Sequence, residues 1–191
     1  MTEFDENDLR RFGVAQGKLW SGYDLALSEI RSGRKVSHWI WYIFPQLRGL
    51  GHSRRSFFYG LAGRKEAEAY LQDATLGPRL REISRALLSH AGKKTAEEIL
   101  GYIDAMKVRS CMTLFDCISP GDVFAEVLEA FYGGKWDRIS YERLEGDFIR
   151  ARREICILFS YPNYNSYICI YNDMGLPQGC KGNMAIEAAG D

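Results

Sequence analysis

Hydrophobic positions recur at three-and-four spacing along most of the chain. Leu9, Phe12 and Gln16 share one stripe, and Leu19, Tyr23, Ala26, Leu27 and Ile30 form a second. This spacing marks amphipathic helices that bury one face. Ser32-Gly33 stops the second helix, because glycine takes the left-handed C-cap conformation at little steric cost. Further stripes predict helices over Arg54–Tyr59, Arg64–Gln72, Leu76–His90, Tyr102–Phe115 and Asp122–Tyr132. In the third of these Leu80, Ile83, Leu87 and Leu88 face inward; in the last, Phe124, Val127, Leu128 and Phe131 do. Ser53 suits an N-cap, and Thr95-Ala96-Glu97-Glu98 carries the capping-box pattern. Gly133-Gly134 ends the Asp122 helix, and Ser140–Leu144 is a candidate for one more short helix.

One segment breaks the amphipathic rule. His38-Trp39-Ile40-Trp41-Tyr42-Ile43-Phe44 is apolar on every side, so as a helix it belongs in the middle of a fold. Ser37 can cap it, and Pro45 should end it near Ile43. A buried strand is the alternative, since periodicity does not separate the two for short apolar runs. Helix after helix with short polar connections, and no βαβ alternation or internal repeat, predicts an all-α fold. It is read as a compact multihelical single domain over residues 1–146.

The pattern changes near Gly146. Ile155–Phe159 and Tyr167–Tyr171 read as strands around the turn-rich Tyr161–Asn165, a small β-hairpin that would need a body to lean on. Residues 147–191 are therefore read as a C-terminal extension, partly disordered, ending in a stretch rich in glycine and alanine.

Composition narrows the function classes. Lysine plus arginine equals aspartate plus glutamate at 25 each, and the formal net charge is zero. That balance argues against nucleic acid as a partner, because phosphate neutralisation normally requires a basic excess. The 5 cysteines are odd in number and no two have CxxC spacing, which speaks against disulfides and a zinc knuckle. The first residues are polar and acidic, without the apolar core of a signal peptide, and the apolar runs are too short to span a bilayer. The chain reads as cytoplasmic and reduced, with no membrane partner, no metal and no implied cofactor. Oligomeric state is not readable.

Three stretches could carry chemistry. His38 is a candidate acid or base, and the neighbouring Trp39 and Trp41 could stack a planar ring; a plain aromatic core explains the same residues. Gln46–Arg55 places Gly49 and Gly51 ahead of Ser53, so loop amides could meet an anion beside Arg54 or Arg55, although a structural turn would look the same. Asp104, Lys107 and Ser110 fall on one slanted stripe of an otherwise apolar helix. A pair there suggests either a site or a structural salt bridge. A Ser110–His38–Asp104 triad can be drawn, but no nucleophile elbow marks Ser110. Cys111 reads as a core residue, and His52 and His90 as exposed bystanders.

The run Lys35-x-Ser37-His38-Trp39-x-Trp41-x-Ile43-Phe44-Pro45-Gln46-Leu47-x-Gly49-Leu50-Gly51-x-Ser53 resembles the signature of the bacterial and fungal "domain of unknown function eighteen-ten" family, whose members are sometimes mislabelled calpastatin. The resemblance continues through Gly101, Asp104, Lys107, Ser110 and Met112–Phe115 to Leu144, about residues 8 to 145 in all. It implies a compact multihelical fold and no particular activity. Cys111 departs from the family pattern, where a second serine beside Ser110 is expected, and the tail has no counterpart there. The helical layout is also similar to domains acting on NAD and ADP-ribose compounds, an analogy of fold only.

Two functional readings follow, and whether the chain is an enzyme stays open. In one, a nucleotide-like small molecule stacks on Trp39 or Trp41. Its phosphates meet the Gly49–Ser53 loop, Arg54 or Arg55, and His38, Asp104 or Lys107 moves any proton. In the other, the same residues are core and scaffold of a non-catalytic interaction domain.

Overall fold

A computed structural model describes residues 7–146, together with two short strands further on. The chain divides into two compact units, residues 1–151 and 152–191. In the second, β1 (Cys169–Tyr171) pairs antiparallel with β2 (Pro177–Cys180), Cys169 opposite Cys180. The expected Tyr167–Tyr171 strand is thus present in part, with a partner that the hydrophobic pattern did not single out. Its expected partner Ile155–Phe159, and the disorder expected of the tail, lie outside the described residues.

The first unit is helical. α1 (Arg10–Gln16) and α2 (Tyr23–Arg31) lead to the four-residue α3 (Ile40–Ile43). Then come α4 (Arg54–Phe58), α5 (Arg64–Gln72), α6 (Leu76–Leu88) and α7 (Ala96–Leu100). α8 (Tyr102–Ile118), α9 (Val123–Tyr132) and α10 (138–146) complete it. α6 packs on α2, α5 and α9, while α8 packs on α5, α7 and α9. A line of rings runs through the interior. Phe12 meets Tyr70 edge-on at 5.1 Å, Tyr70 meets Phe115 at 5.6 Å, and Phe115 meets Phe124 at 5.6 Å. Such tilted pairs add to the burial of the rings themselves.

α3 is central, as its apolar surround predicts: Ile40, Ile43 and Phe44 are buried. Its N-cap position is Trp39, however, and Ser37 does not cap it, because the Ser37 hydroxyl is engaged by Glu29 instead. Pro45 ends it as expected. Beyond the proline, Leu47 pairs with Leu61 in a parallel bridge, with Leu61 N–H donating to Gln46 O at 2.8 Å and Arg48 N–H to Leu61 O at 2.8 Å.

Three further expectations are corrected. Leu19 is 88% exposed, and not on the α2 stripe. α2 starts only after Gly22, where an added Cβ would sit 2.2 Å from Lys18 O, so the chain turns too sharply there for the helix to reach back. His90 is no bystander, since its Nε2 lies 2.8 Å from Ile30 O at the end of α2. The Tyr102 helix runs past Phe115 to Ile118.

The capping box at α7 is complete: Thr95 Oγ1 accepts from Glu98 N–H, and Glu98 Oε2 accepts from Thr95 N–H at 2.7 Å. Thr95→Ala is expected to cost about 1 kcal/mol and to lower the thermal midpoint by a few degrees. An unchanged melting curve would show that α7 is held by packing alone.

Candidate functional site

The site begins with a carboxylate on α2. Glu29 accepts hydrogen bonds from Val36 N–H (2.8 Å), Ser37 N–H (3.0 Å), Ser37 Oγ–H (2.5 Å) and Trp39 Nε1–H (2.8 Å). Burial pushes its pKa up, but the hydrogen bonds from Ser37, Val36 and Trp39 outweigh that, and the net shift is down. The segment from Val36 to Trp39 is thereby tied to α2. Lys35, next to it, donates its backbone N–H to Ile99 O at 2.7 Å.

From this anchor the Lys35 ammonium reaches Asp104 Oδ2 at 2.7 Å and Ser37 O at 2.7 Å. Lys107, one turn along α8 from Asp104, holds the other oxygen at 2.6 Å. One carboxylate thus bridges two ammonium groups. Burial raises the Asp104 pKa, the Lys107 and Lys35 hydrogen bonds lower it, and the lowering wins. The lysine side chains differ in access: that of Lys35 is 7% exposed and that of Lys107 is 22% exposed.

Two indoles border the cluster. Lys35 Nζ lies 5.0 Å from the Trp39 ring centre, and Lys107 Nζ lies 5.0 Å from that of Trp41. The Arg55 guanidinium stands 5.4 Å over the same Trp41 ring. Each is at cation–π distance, attracted by the electron-rich ring face. Two lysines and an arginine around one aspartate leave a local positive surplus that the neutral whole-chain balance conceals. Beyond Arg55 an open groove of about 730 Å³ runs over α4, lined by His52, Ser53, Arg54, Arg55, Phe57, Phe58 and Tyr59.

The candidates named from the sequence separate on this geometry. Asp104 and Lys107 are paired, and Trp41, half-buried, is with them. Trp39 is fully buried with its N–H spent on Glu29, so it offers no face to a ligand. His38 is exposed, and among the described residues its imidazole has no hydrogen-bond partner. Ser110 returns its hydroxyl to Met106 O at 3.2 Å. The Ser110–His38–Asp104 triad is therefore not assembled, since both Asp104 oxygens hold ammonium groups.

Gln46 takes part through its backbone pairing with Leu61. Gly49 has φ +85°, and a Cβ there would stand 2.8 Å from the Arg143 guanidinium; one on Gly51 would stand 2.8 Å from Ser56. The loop glycines thus answer to backbone shape and close packing. Ser53 caps α4 by accepting from Ser56 N–H at 3.1 Å. Arg54 faces the groove, and it is Arg55 that reaches Trp41.

Sequence reasoning missed Lys35 and Glu29. Lys35 stands in the family-like run, which by itself assigns it no role. Glu29 carried a usable signal: an acid on the buried stripe with Ala26 and Ile30, where an unpaired carboxylate would be costly. Among the described residues no group of three or more His, Cys, Asp or Glu is placed to hold a metal, and no helix is long and apolar enough to cross a membrane.

A search of curated proteins finds no match. The crystal structure of the conserved hypothetical protein Rv1873 from Mycobacterium tuberculosis is similar, at 41% sequence identity and a TM-score of 0.69. The similarity covers 74% of this chain and 99% of that one. The profile of the family described as "Protein of unknown function (DUF1810)" matches residues 6–144, which take in α1 to α9, most of α10 and every residue of the cluster above. The chain belongs to that family.

Proposed function

We propose that the face formed by Trp41, Lys107, Arg55 and Asp104 binds a nucleotide-like small molecule of the NAD or ADP-ribose type. The observation that carries the reading is the half-buried Trp41 ring with two cations at cation–π distance and one aspartate between two lysines. An indole face suits a purine or nicotinamide ring, and Lys107 and Arg55 suit its phosphates. Asp104 is committed to holding the lysines, so its role is to place charge rather than to take a proton.

A second reading has its own support. Val36, Tyr102, Ile103 and Met106, neighbours in sequence of Lys35, Asp104 and Lys107, are 71%, 62%, 57% and 45% exposed. Exposed apolar side chains beside a charged cluster also suit a protein-interaction surface.

Thermal-shift measurements with ADP-ribose, NAD and AMP test the first reading. Ligand at one hundred times its dissociation constant adds about 2.7 kcal/mol of stability. Lys107→Ala is expected to abolish the shift while costing the free protein less than about 1 kcal/mol, because Lys35 still neutralises Asp104. A ligand shift that survives in both Lys107→Ala and Trp41→Ala removes this face as the site. No shift with any of the three ligands favours the interaction surface.

A further inference from the structure

We infer that the groove over α4 receives the continuing strand of a single-stranded nucleic acid whose end nucleotide occupies the Trp41 face. This rests on the nucleotide reading of that face and extends it to a substrate class.

Among the described residues the groove has no acidic lining residue: those that line it are His52, Ser53, Arg54, Arg55, Phe57, Phe58 and Tyr59. Arg54 and Arg55 are both exposed, and among the described residues neither has a carboxylate partner. In a chain with equal numbers of acidic and basic side chains, two adjacent arginines on a wall whose described residues carry no acid make a local anion-attracting surface. The aromatic part is equally placed. Phe57 is 48% exposed, with the Arg48 guanidinium 5.2 Å over its ring.

An accessible ring among arginines is how single strands are held: bases stack on rings and guanidinium planes, and phosphates follow the cations. A duplex buries its base faces and offers nothing to Phe57. A phosphopeptide would use the arginines but leave the ring without a stacking partner. Arg55 joins the two parts, lying over Trp41 and lining the groove at once. The path from Lys107 through Trp41 and Arg55 to Arg54 and Phe57 is therefore continuous. The groove of about 730 Å³ is open and meets the Trp41 face at Arg55, so a chain can pass along it.

The test is fluorescence anisotropy on the full chain with labelled oligoadenylate of about six nucleotides, within the span that one compact site covers, competed with AMP. The strand is expected to bind about tenfold or more tighter than AMP. Three cations on phosphates, Lys107, Arg55 and Arg54, give a slope of log affinity against log salt of about −2 for a single strand. Phe57→Ala is expected to bring strand affinity down towards that of AMP while AMP binding and the melting temperature stay unchanged. Arg54→Ala should weaken strand binding and make the salt slope shallower.

Equal affinity for AMP and strand overturns the inference and leaves the Trp41 reading standing. The inference also falls if Phe57→Ala and Arg54→Ala bind the strand as the parent does. It falls again if duplex or a phosphoserine peptide of matched charge competes equally. Strand binding that survives Trp41→Ala but is lost in Arg54→Ala overturns the Trp41 reading and, with it, the placing of the end nucleotide on that face.

Discussion

Arg11→Ala is expected to cost about 3–5 kcal/mol, the range for removing one partner of a buried ion pair. For a domain of this size that lowers the thermal midpoint by roughly 10 °C. Arg11 is 1% exposed. Its Nε–H donates to Phe58 O at 2.8 Å, its Nη2–H donates to Gly60 O at 3.2 Å, and Nη2 lies 2.7 Å from the Glu66 carboxylate. It also stacks 4.3 Å over Phe12. Truncation leaves the Phe58 carbonyl and the Glu66 carboxylate without their cation inside the protein, while Gly60 O keeps the Arg48 guanidinium. The same loss should loosen the groove, because Phe58 and Tyr59 form part of its wall.

A double variant tells charge stranding from lost packing. Arg11→Met with Glu66→Gln removes both charges and keeps most of the volume. It should recover a good part of the loss in urea denaturation. Glu66→Gln keeps a side-chain oxygen for the Ala62 N–H, which the native carboxylate accepts at 2.6 Å. A single-variant loss below about 1 kcal/mol would mean that Arg11 fills space and does not hold the Phe58–Gly60 turn in place.

Glu29→Ala is the second large effect, about 3 kcal/mol. Each buried donor left without an acceptor costs about 1–3 kcal/mol, and Trp39 Nε1 is wholly enclosed. The variant also frees Val36 and Ser37, whose carbonyl and chain direction place the Lys35 ammonium on Asp104. Stability and ligand binding should therefore fall together, unlike in Lys107→Ala.

Glu29 also sets a pH signature. Its folded-state pKa lies below the ordinary 4.5, so its stabilisation is complete above that value and is lost as pH falls through the folded value. Asp104 behaves in the same sense below 3.8. Asp116 opposes them. Burial raises its pKa, which the hydrogen bond from Trp136 Nε1 only partly offsets, so its contribution is present at low pH and lost as pH rises through the folded value. Denaturant midpoints measured from pH 7 down to 3 should show an acid limb that is shallower in Glu29→Gln. An identical limb in parent and variant would remove Glu29 from the account.

Helix-level structure was legible because its causes are local. The Thr95 box, the Ser53 cap and the Pro45 stop each act within a few residues. Asp104 and Lys107 were readable as a pair because one helical turn joins them. Leu19 failed that logic because a stripe carries on in sequence whether or not the chain turns at Gly22. Trp39 and Trp41 could not be told apart, since in a four-residue helix apolar all round no face is marked.

The sequence by itself therefore determined the all-α class, most helix boundaries, the family and the Asp104–Lys107 pair. Only the tertiary structure decided that Lys35 completes that pair, that Glu29 ties down the segment beside it, that Trp39 is enclosed while Trp41 meets Lys107 and Arg55, and that the arginines of α4 line a groove together with Phe57. Those pairings join residues far apart in the chain. Periodicity reports which way a side chain faces on its own helix and carries nothing about what another helix brings to meet it.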